Sequence, residues 1–97
     1  MTQPQIYMYE LVVISKSNIE PKTMHDTVST VLKEVGGEVK NVEELGEKEF
    51  TYQIKGHVSG VYSTYDVEVA QDKVDELQQL LNFEDDVIRV MIIKKEE

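Results

Sequence analysis

The order of hydrophobic patterns along the chain is the feature that most constrains its fold. Ile6–Ser15 is rich in aromatic and β-branched residues, and both of its alternating faces are largely apolar, which predicts a strand inside a sheet. A helical stripe of apolar side chains follows, formed by Met24, Val28, Val31, Leu32 and Val35. Pro21 suits the first turn of this helix, and Gly36 and Gly37 are expected to end it.

The second half of the chain predicts a hairpin, a second helix and a last strand. A long strand is expected over 38–54, with Gly46 marking a bulge or a bend. The stretch KGHVSG at 55–60 predicts a turn, and the alternation over 61–69 predicts the returning strand of the hairpin. Apolar residues at helical spacing come next, namely Val74, Leu77, Leu80 and Leu81. After a loop, Val87–Lys94 is again typical of a strand.

The predicted order is therefore strand, helix, strand, strand, helix, strand. Right-handed crossovers in this order place both helices on one face of a four-stranded antiparallel sheet, which is the ferredoxin-like α+β fold. The other face of the sheet stays uncovered. Because 97 residues are too few for two independent cores, we expect residues 1–97 to form a single domain.

Composition narrows the function further. The chain has no cysteine, and no apolar run approaches the length of a membrane span, so we expect an unprocessed cytoplasmic protein without a membrane anchor. The formal net charge of −9 repels phosphate at long range and argues against nucleic acid. A few cations gathered on one surface can nevertheless bind RNA if a partner protein covers the rest.

The residues that usually carry catalysis are poorly arranged. His25 and His57 lie far apart in sequence, outside any metal-ligand spacing, and are best explained as ordinary surface histidines. Asp85 and Asp86 are neighbours in a loop and cannot face each other across a substrate. The chain lacks a glycine-rich phosphate loop after a strand. We therefore expect no enzyme, no metal, no cofactor and no small-molecule substrate.

Basic and aromatic residues on the second, third and fourth strands suggest contact with RNA. Cations can bind phosphates, and aromatic rings can stack on unpaired bases. The candidates are Arg89, Lys48, Lys55, His57, Tyr62 and Lys94. Spacing alone does not separate this interpretation from scattered surface lysines and packing tyrosines.

Several stretches resemble the bacterial small-subunit ribosomal protein six family. They are YELVVI at 9–14, VEELGEKEFTYQI at 42–54, the glycine at 60, and VDELQQLLNFEDDVIRVMIIK at 74–94. The resemblance spans nearly the whole chain, and its specificity comes from the ensemble of matches. It implies a ferredoxin-like structural protein that binds central-domain small-subunit ribosomal RNA and pairs with ribosomal protein eighteen along the edge of the sheet.

The family pattern also implies roles for individual residues. Lys48 occupies one of two basic positions that follow the family's glycine, here Gly46, whereas Glu49 occupies the other. Arg89 matches an arginine of the last strand and is the best single candidate for a phosphate contact. Tyr52 fits either the core or the partner edge, and we favour the core.

Acidic residues of the second strand suit a basic partner. The residues predicted for this partner edge are Glu43, Glu44, Leu45, Glu47, Glu49 and, if it is not a core residue, Tyr52. Because Glu47 and Glu49 lie where basic residues would favour RNA binding, we expect the domain to act as one half of a protein pair and not as a strong independent RNA binder. A small-molecule sensor or regulatory domain is the alternative, and a divergent phosphate-hydrolysing enzyme is a third possibility that lacks a suitable loop arginine.

Overall fold

The computed structural model describes residues 6–95, and the N-terminal tail and the acidic residues Glu96 and Glu97 lie outside them. In chain order the elements are β1 (Ile6–Ser15), α1 (Pro21–Glu34), β2 (Glu38–Ile54), β3 (His57–Ala70), α2 (Val74–Asn82) and β4 (Val87–Lys94). A short 3₁₀ helix, Gln71–Lys73, leads into α2. The predicted order of strands and helices is confirmed. Within the described residues, no helix is long and apolar enough to cross a membrane.

The four strands form one antiparallel sheet in the order β2-β3-β1-β4. Strand β1 is central, with Leu11 opposite Tyr65 of β3 and opposite Ile92 of β4. Strands β2 and β4 are the two edges. This topology confirms the predicted ferredoxin-like fold and the interior position of β1.

Both helices pack on one face of the sheet. Their apolar stripes bury Val28 and Leu32 of α1 and Leu77 and Leu81 of α2 completely. From the sheet, alternate residues point into the same core, namely Tyr9, Leu11, Val13, Tyr65, Val67, Val69 and Val90. The helix-facing residues of the two central strands are therefore sequestered from water, whereas the opposite face of the sheet carries no helix.

The end of α1 uses the two glycines as predicted. Gly36 has a positive φ of 76°, which glycine adopts without strain. The amide of Gly37 donates to the Leu32 carbonyl at 2.8 Å, and the amide of Gly36 donates to the Lys33 carbonyl at 3.1 Å. This pair of bonds is a Schellman cap, and it reverses the chain into β2.

The hairpin between β2 and β3 is tighter than the sequence predicts. Strand β3 begins at His57 rather than at residue 61, and Ile54 pairs directly with His57. The turn is only Lys55 and Gly56, which have φ values of 50° and 82°. Two central residues with positive φ are typical of the type I′ turn, whose twist matches that of the flanking strands.

Three register shifts interrupt the pairing of β2 with β3. One lies between Glu44 and Gly46, and Gly46 has a φ of 86°, so the predicted bulge is confirmed. Another lies between Glu49, which pairs with Ser59, and Ile54, which pairs with His57. Strand β2 advances by five residues between these two pairs and β3 by only two, so β2 has an excess of three residues. Tyr52 lies in this excess stretch and is 82% exposed, so our preference for a core position was wrong.

Gly60 lies where the hairpin meets the sheet, and its missing side chain makes room for a neighbour. A Cβ atom placed there would lie 2.7 Å from Ile14 Cγ2, 2.9 Å from Phe50 Cζ and 3.0 Å from the Ser15 carbonyl oxygen. Phe50 therefore packs into the space that the glycine leaves.

We expect Gly60→Ala to lower the free energy of unfolding by about 1–3 kcal/mol, because Phe50 and the β1 backbone must shift. Urea unfolding measures this change. Thr51→Ala, an exposed substitution in the same hairpin, is the control and should stay within about 0.5 kcal/mol of the parent. Equal effects of the two substitutions would contradict the close packing at Gly60.

The ionisation of Tyr65 determines how the free energy of unfolding should change at alkaline pH. Burial, with a smaller contribution from the Glu44 carboxylate, raises the pKa of Tyr65 from 10.0 to about 12. Between these pH values the folded protein keeps the Tyr65 proton, whereas the unfolded chain releases it. The contribution of protonated Tyr65 to the free energy of unfolding is therefore complete below pH 10 and is lost as the pH rises towards 12.

We expect the urea midpoint of the parent to fall over this pH range more steeply than that of Tyr65→Phe. The exposed Tyr52→Phe variant is the control and should follow the parent. Parallel curves for the parent and Tyr65→Phe would exclude a role for the Tyr65 proton.

Candidate nucleic-acid and partner-protein interfaces

The uncovered face of the sheet brings three of the predicted RNA-binding residues together at one end. Ile14 of β1 pairs with Arg89 of β4 on one side and with Tyr62 of β3 on the other. Lys48 of β2 lies opposite Gly60, two residues along β3 from Tyr62. Because directly paired residues share a face, Arg89, Tyr62 and Lys48 all lie on the side away from the helices.

The side chains on this face make a mixed aromatic and basic surface. The Lys48 Nζ lies 5.4 Å from the centroid of the Tyr62 ring, in a cation–π contact. Phe50 meets the same ring edge-on, with 6.2 Å between centroids. Arg89 lies two strands from Tyr62, which corresponds to about 10 Å across the sheet. We call Lys48, Phe50, Tyr62 and Arg89 the aromatic–cationic patch.

The other predicted RNA contacts lie elsewhere. Lys55 occupies the turn of the hairpin and His57 starts the returning strand, so both lie at the hairpin tip. Lys94 pairs with Tyr9, and its Nζ lies 3.6 Å from the centroid of the Tyr7 ring. It is thus on the helix-bearing side of β4, at the end remote from Arg89. The structure brings Arg89, Lys48 and Tyr62 together but separates Lys94 from them; contact of any of these residues with RNA stays a prediction.

The opposite end of the uncovered face is acidic, with its lysines already paired. Lys95 Nζ lies 3.0 Å from the Asp66 carboxylate. Lys40 Nζ lies 3.2 Å from Glu38 and 3.4 Å from Glu68. The hydrogen bond to Glu38 and, to a smaller extent, the one to Glu68 raise the pKa of Lys40. Among the described residues, Lys48 and Arg89 make no such ion pair. Of these cations at the two ends of the uncovered face, Lys48 and Arg89 of the patch are therefore the ones available to an external phosphate.

Strand β2 places the predicted partner edge at the border of the sheet. Its carboxylate side chains Glu43, Glu44, Glu47 and Glu49 are all exposed, and the apolar side chain of Leu45 is 41% exposed at the bulge. Glu47 accepts a hydrogen bond from the Ser59 hydroxyl at 3.3 Å. Tyr52 extends this exposed surface towards the hairpin tip. These positions are compatible with a partner edge, and their role stays a prediction.

A hydrogen-bonded chain from α1 to the sheet was missed by the sequence analysis. His25 Nε2 lies 2.8 Å from Glu44 Oε1, and His25 Nδ1 lies 2.7 Å from the Tyr65 hydroxyl. The side chain of His25 is 25% exposed, so it is not the ordinary surface histidine that we expected. No local pattern could reveal these contacts, because they join three elements that are distant in sequence.

One groove of about 540 Å³ lies along the hairpin and is lined by Glu47, Lys48, Glu49, Phe50, Val58 and Ser59. Its lining mixes charged and apolar side chains, unlike the mostly apolar pockets that hold small molecules. Within residues 6–95, no group of three or more His, Asp or Glu side chains is placed to hold a metal ion.

Comparisons with known proteins agree on one family. The sequence profile described as Ribosomal protein S6 matches residues 8–94. A small ribosomal subunit protein bS6 from Halalkalibacterium halodurans is 34% identical over 92 residues, covering 92% of this chain and 97% of that protein. The bS6 protein of Thermus thermophilus is 30% identical and covers 92% of this chain and 91% of its own length.

Comparison with solved structures finds a protein of the same family. The crystal structure of 30S ribosomal protein S6 from Thermotoga maritima superposes with a TM-score of 0.81 at 21% identity, covering 94% of this chain and 89% of that one. At this identity the superposition supports the fold, while the profile and the sequence relatives establish descent. The chain therefore belongs to the ribosomal protein S6 family, a structural and non-enzymatic family of the bacterial small ribosomal subunit in the cytoplasm.

Proposed function

We propose that residues 1–97 act as a single domain that binds central-domain small-subunit ribosomal RNA while pairing with ribosomal protein eighteen. The aromatic–cationic patch is the observation that carries the RNA half of this proposal. The patch contains two cations, Lys48 and Arg89, that form no ion pair with any described residue. Between them lies the half-buried ring of Tyr62, on the face of the sheet that no helix covers.

The patch suits RNA because its groups match two features of a folded RNA. Arg89 and Lys48 are placed to contact phosphates on either side of Tyr62, and the Tyr62 ring offers a surface on which an unpaired base can stack. Lys55 and His57 extend this contact along the hairpin towards its tip. Lys94, on the other side of β4, would serve a separate backbone contact.

The β2 edge suits a basic protein. A net charge of −9 limits how much RNA the domain can cover alone, so a partner that supplies positive charge favours the assembly. An edge strand also has backbone groups that the sheet leaves unpaired. Leu45 and Tyr52 add exposed apolar area next to the carboxylates. We propose this edge as the surface for ribosomal protein eighteen.

For the RNA contact, we expect Arg89→Ala and Lys48→Ala each to weaken binding to a central-domain RNA fragment in the presence of the partner. The slope of log affinity against log salt concentration should fall by about 1 for each variant, because each loses one phosphate contact. Filter binding at several salt concentrations measures both effects.

Lys22→Ala is the matched control, since Lys22 is an exposed cation on α1, away from the uncovered face. It should leave the affinity and the slope near those of the parent. Parent-like RNA binding by both Arg89→Ala and Lys48→Ala would reject the patch as the RNA site.

For the partner contact, we expect affinity for ribosomal protein eighteen to fall as salt rises from about 50 mM to about 500 mM, because ions screen exposed charges. The triple variant Glu43→Gln, Glu47→Gln, Glu49→Gln should associate more slowly and depend less on salt. Stopped-flow association rates test this. A flat salt response of the parent would eliminate the electrostatic part of the proposal.

A further inference from the structure

Glu44 is the carboxylate of the β2 edge that is held by a half-buried ring, whereas Glu47 accepts a longer hydrogen bond, of 3.3 Å, from the Ser59 hydroxyl. Glu44 Oε1 accepts a hydrogen bond from His25 Nε2 at 2.8 Å, whereas Glu43 and Glu49 make no hydrogen bond or ion pair within the described part of the chain. A free glutamate side chain must give up several rotamers when it binds a partner. The hydrogen bond to His25 restricts the rotamers of Glu44 before any partner binds.

His25 can hold Glu44 because the imidazole is itself fixed on its other side. Its Nδ1 lies 2.7 Å from the hydroxyl of Tyr65, and the two rings pack edge-on with 5.5 Å between centroids. Tyr65 is 1% exposed and belongs to the core. The position of the Glu44 carboxylate is therefore set by the core, through His25.

The Glu44 carboxylate lies beside exposed apolar side chains. The Glu44 side chain is still 55% exposed, so the carboxylate retains capacity to accept further hydrogen bonds. Val42 and Leu45 lie close to it along β2 and are 39% and 41% exposed. A partner that packs on this apolar surface would exclude water from around the carboxylate, and exclusion of water strengthens a charge-assisted hydrogen bond.

We propose that Glu44 is the anchor of the partner edge, accepting an arginine or lysine of the basic partner, and that His25 is its positioning residue. This inference rests on the proposed pairing with ribosomal protein eighteen and names the residue on which that pairing depends most. Because folding already restricts Glu44, one carboxylate contributes more to affinity than its neighbours of equal charge.

The direct test compares two substitutions that remove the same charge one residue apart. Affinity for purified ribosomal protein eighteen is measured by titration calorimetry for the parent, Glu44→Gln and Glu43→Gln. We expect Glu44→Gln to weaken binding about tenfold, the scale of a charge-assisted hydrogen bond, and Glu43→Gln to weaken it about twofold or less. Equal effects would overturn the inference and leave the pairing intact, whereas absence of binding by the parent would overturn the pairing itself.

The role of His25 is tested by coupling. If His25 acts by placing Glu44, then His25→Ala should weaken binding, and adding Glu44→Gln to it should cause little further loss. His25→Gln keeps an amide donor that can reach Glu44 and should retain part of the affinity. Additive losses, or equal losses in His25→Ala and His25→Gln, would reject the positioning role.

Thermal unfolding of each variant separates this role from a general loss of structure. We expect His25→Ala to remain folded at the temperature of the titration, because it removes a side chain at the margin of the core. If His25→Ala unfolds, the comparison of Glu44→Gln with Glu43→Gln still decides whether Glu44 is the anchor. The affinity of His25→Gln relative to the parent then tests the positioning role of His25, and complete loss of binding by a folded His25→Gln would reject it.

Discussion

Burial of one face of the central strands against the two helices is the constraint on which the rest of the structure depends. Leu11 and Val13 of β1 and Val67 of β3 are fully buried beneath Val28 and Leu77 of the helices. Burial of side chains of this size stabilises the fold by about 1.5–3 kcal/mol each. Because this face is committed to the core, the sheet can interact with other molecules only through its uncovered face, its edge strands and its hairpin.

The distribution of charge follows from the same division. Lys40 and Lys95 neutralise carboxylates at the acidic end of the uncovered face, which leaves Lys48 and Arg89 at the other end. A net charge of −9 is therefore compatible with a local cationic surface. The acidic edge and the aromatic–cationic patch share no residue, although Lys48 of the patch lies between Glu47 and Glu49 of the edge.

Periodicity in the sequence was sufficient for the architecture. The apolar stripe from Met24 to Val35 and the alternation of β1 each identify an element and its buried face, because those faces are fixed by local spacing. The separation of Arg89 from Lys94 also follows from spacing, since residues five apart on a strand point to opposite faces. We grouped them by charge instead.

Features that depend on how elements meet were beyond the sequence. Tyr52 resembles a core residue in an alternating strand, and only the excess of three residues in β2 over β3 explains its exposure. The contact of His25 with Glu44 and Tyr65 likewise requires the packing of α1 beside β2. The turn was misplaced because Gly60 resembles a turn glycine, whereas its role is to admit Phe50.

The position of β1 at the centre of the sheet has a consequence for biosynthesis. Leu11 pairs with Tyr65 and Ile92, so the first strand to leave the ribosome has both of its neighbours far downstream. Synthesis at about 5–20 residues per second keeps the nascent chain waiting for seconds before β4 exists. During that interval α1 and the β2–β3 hairpin can form locally, but the sheet cannot close. The sheet is therefore completed only after translation of its last strand, even though local elements can form as the chain emerges.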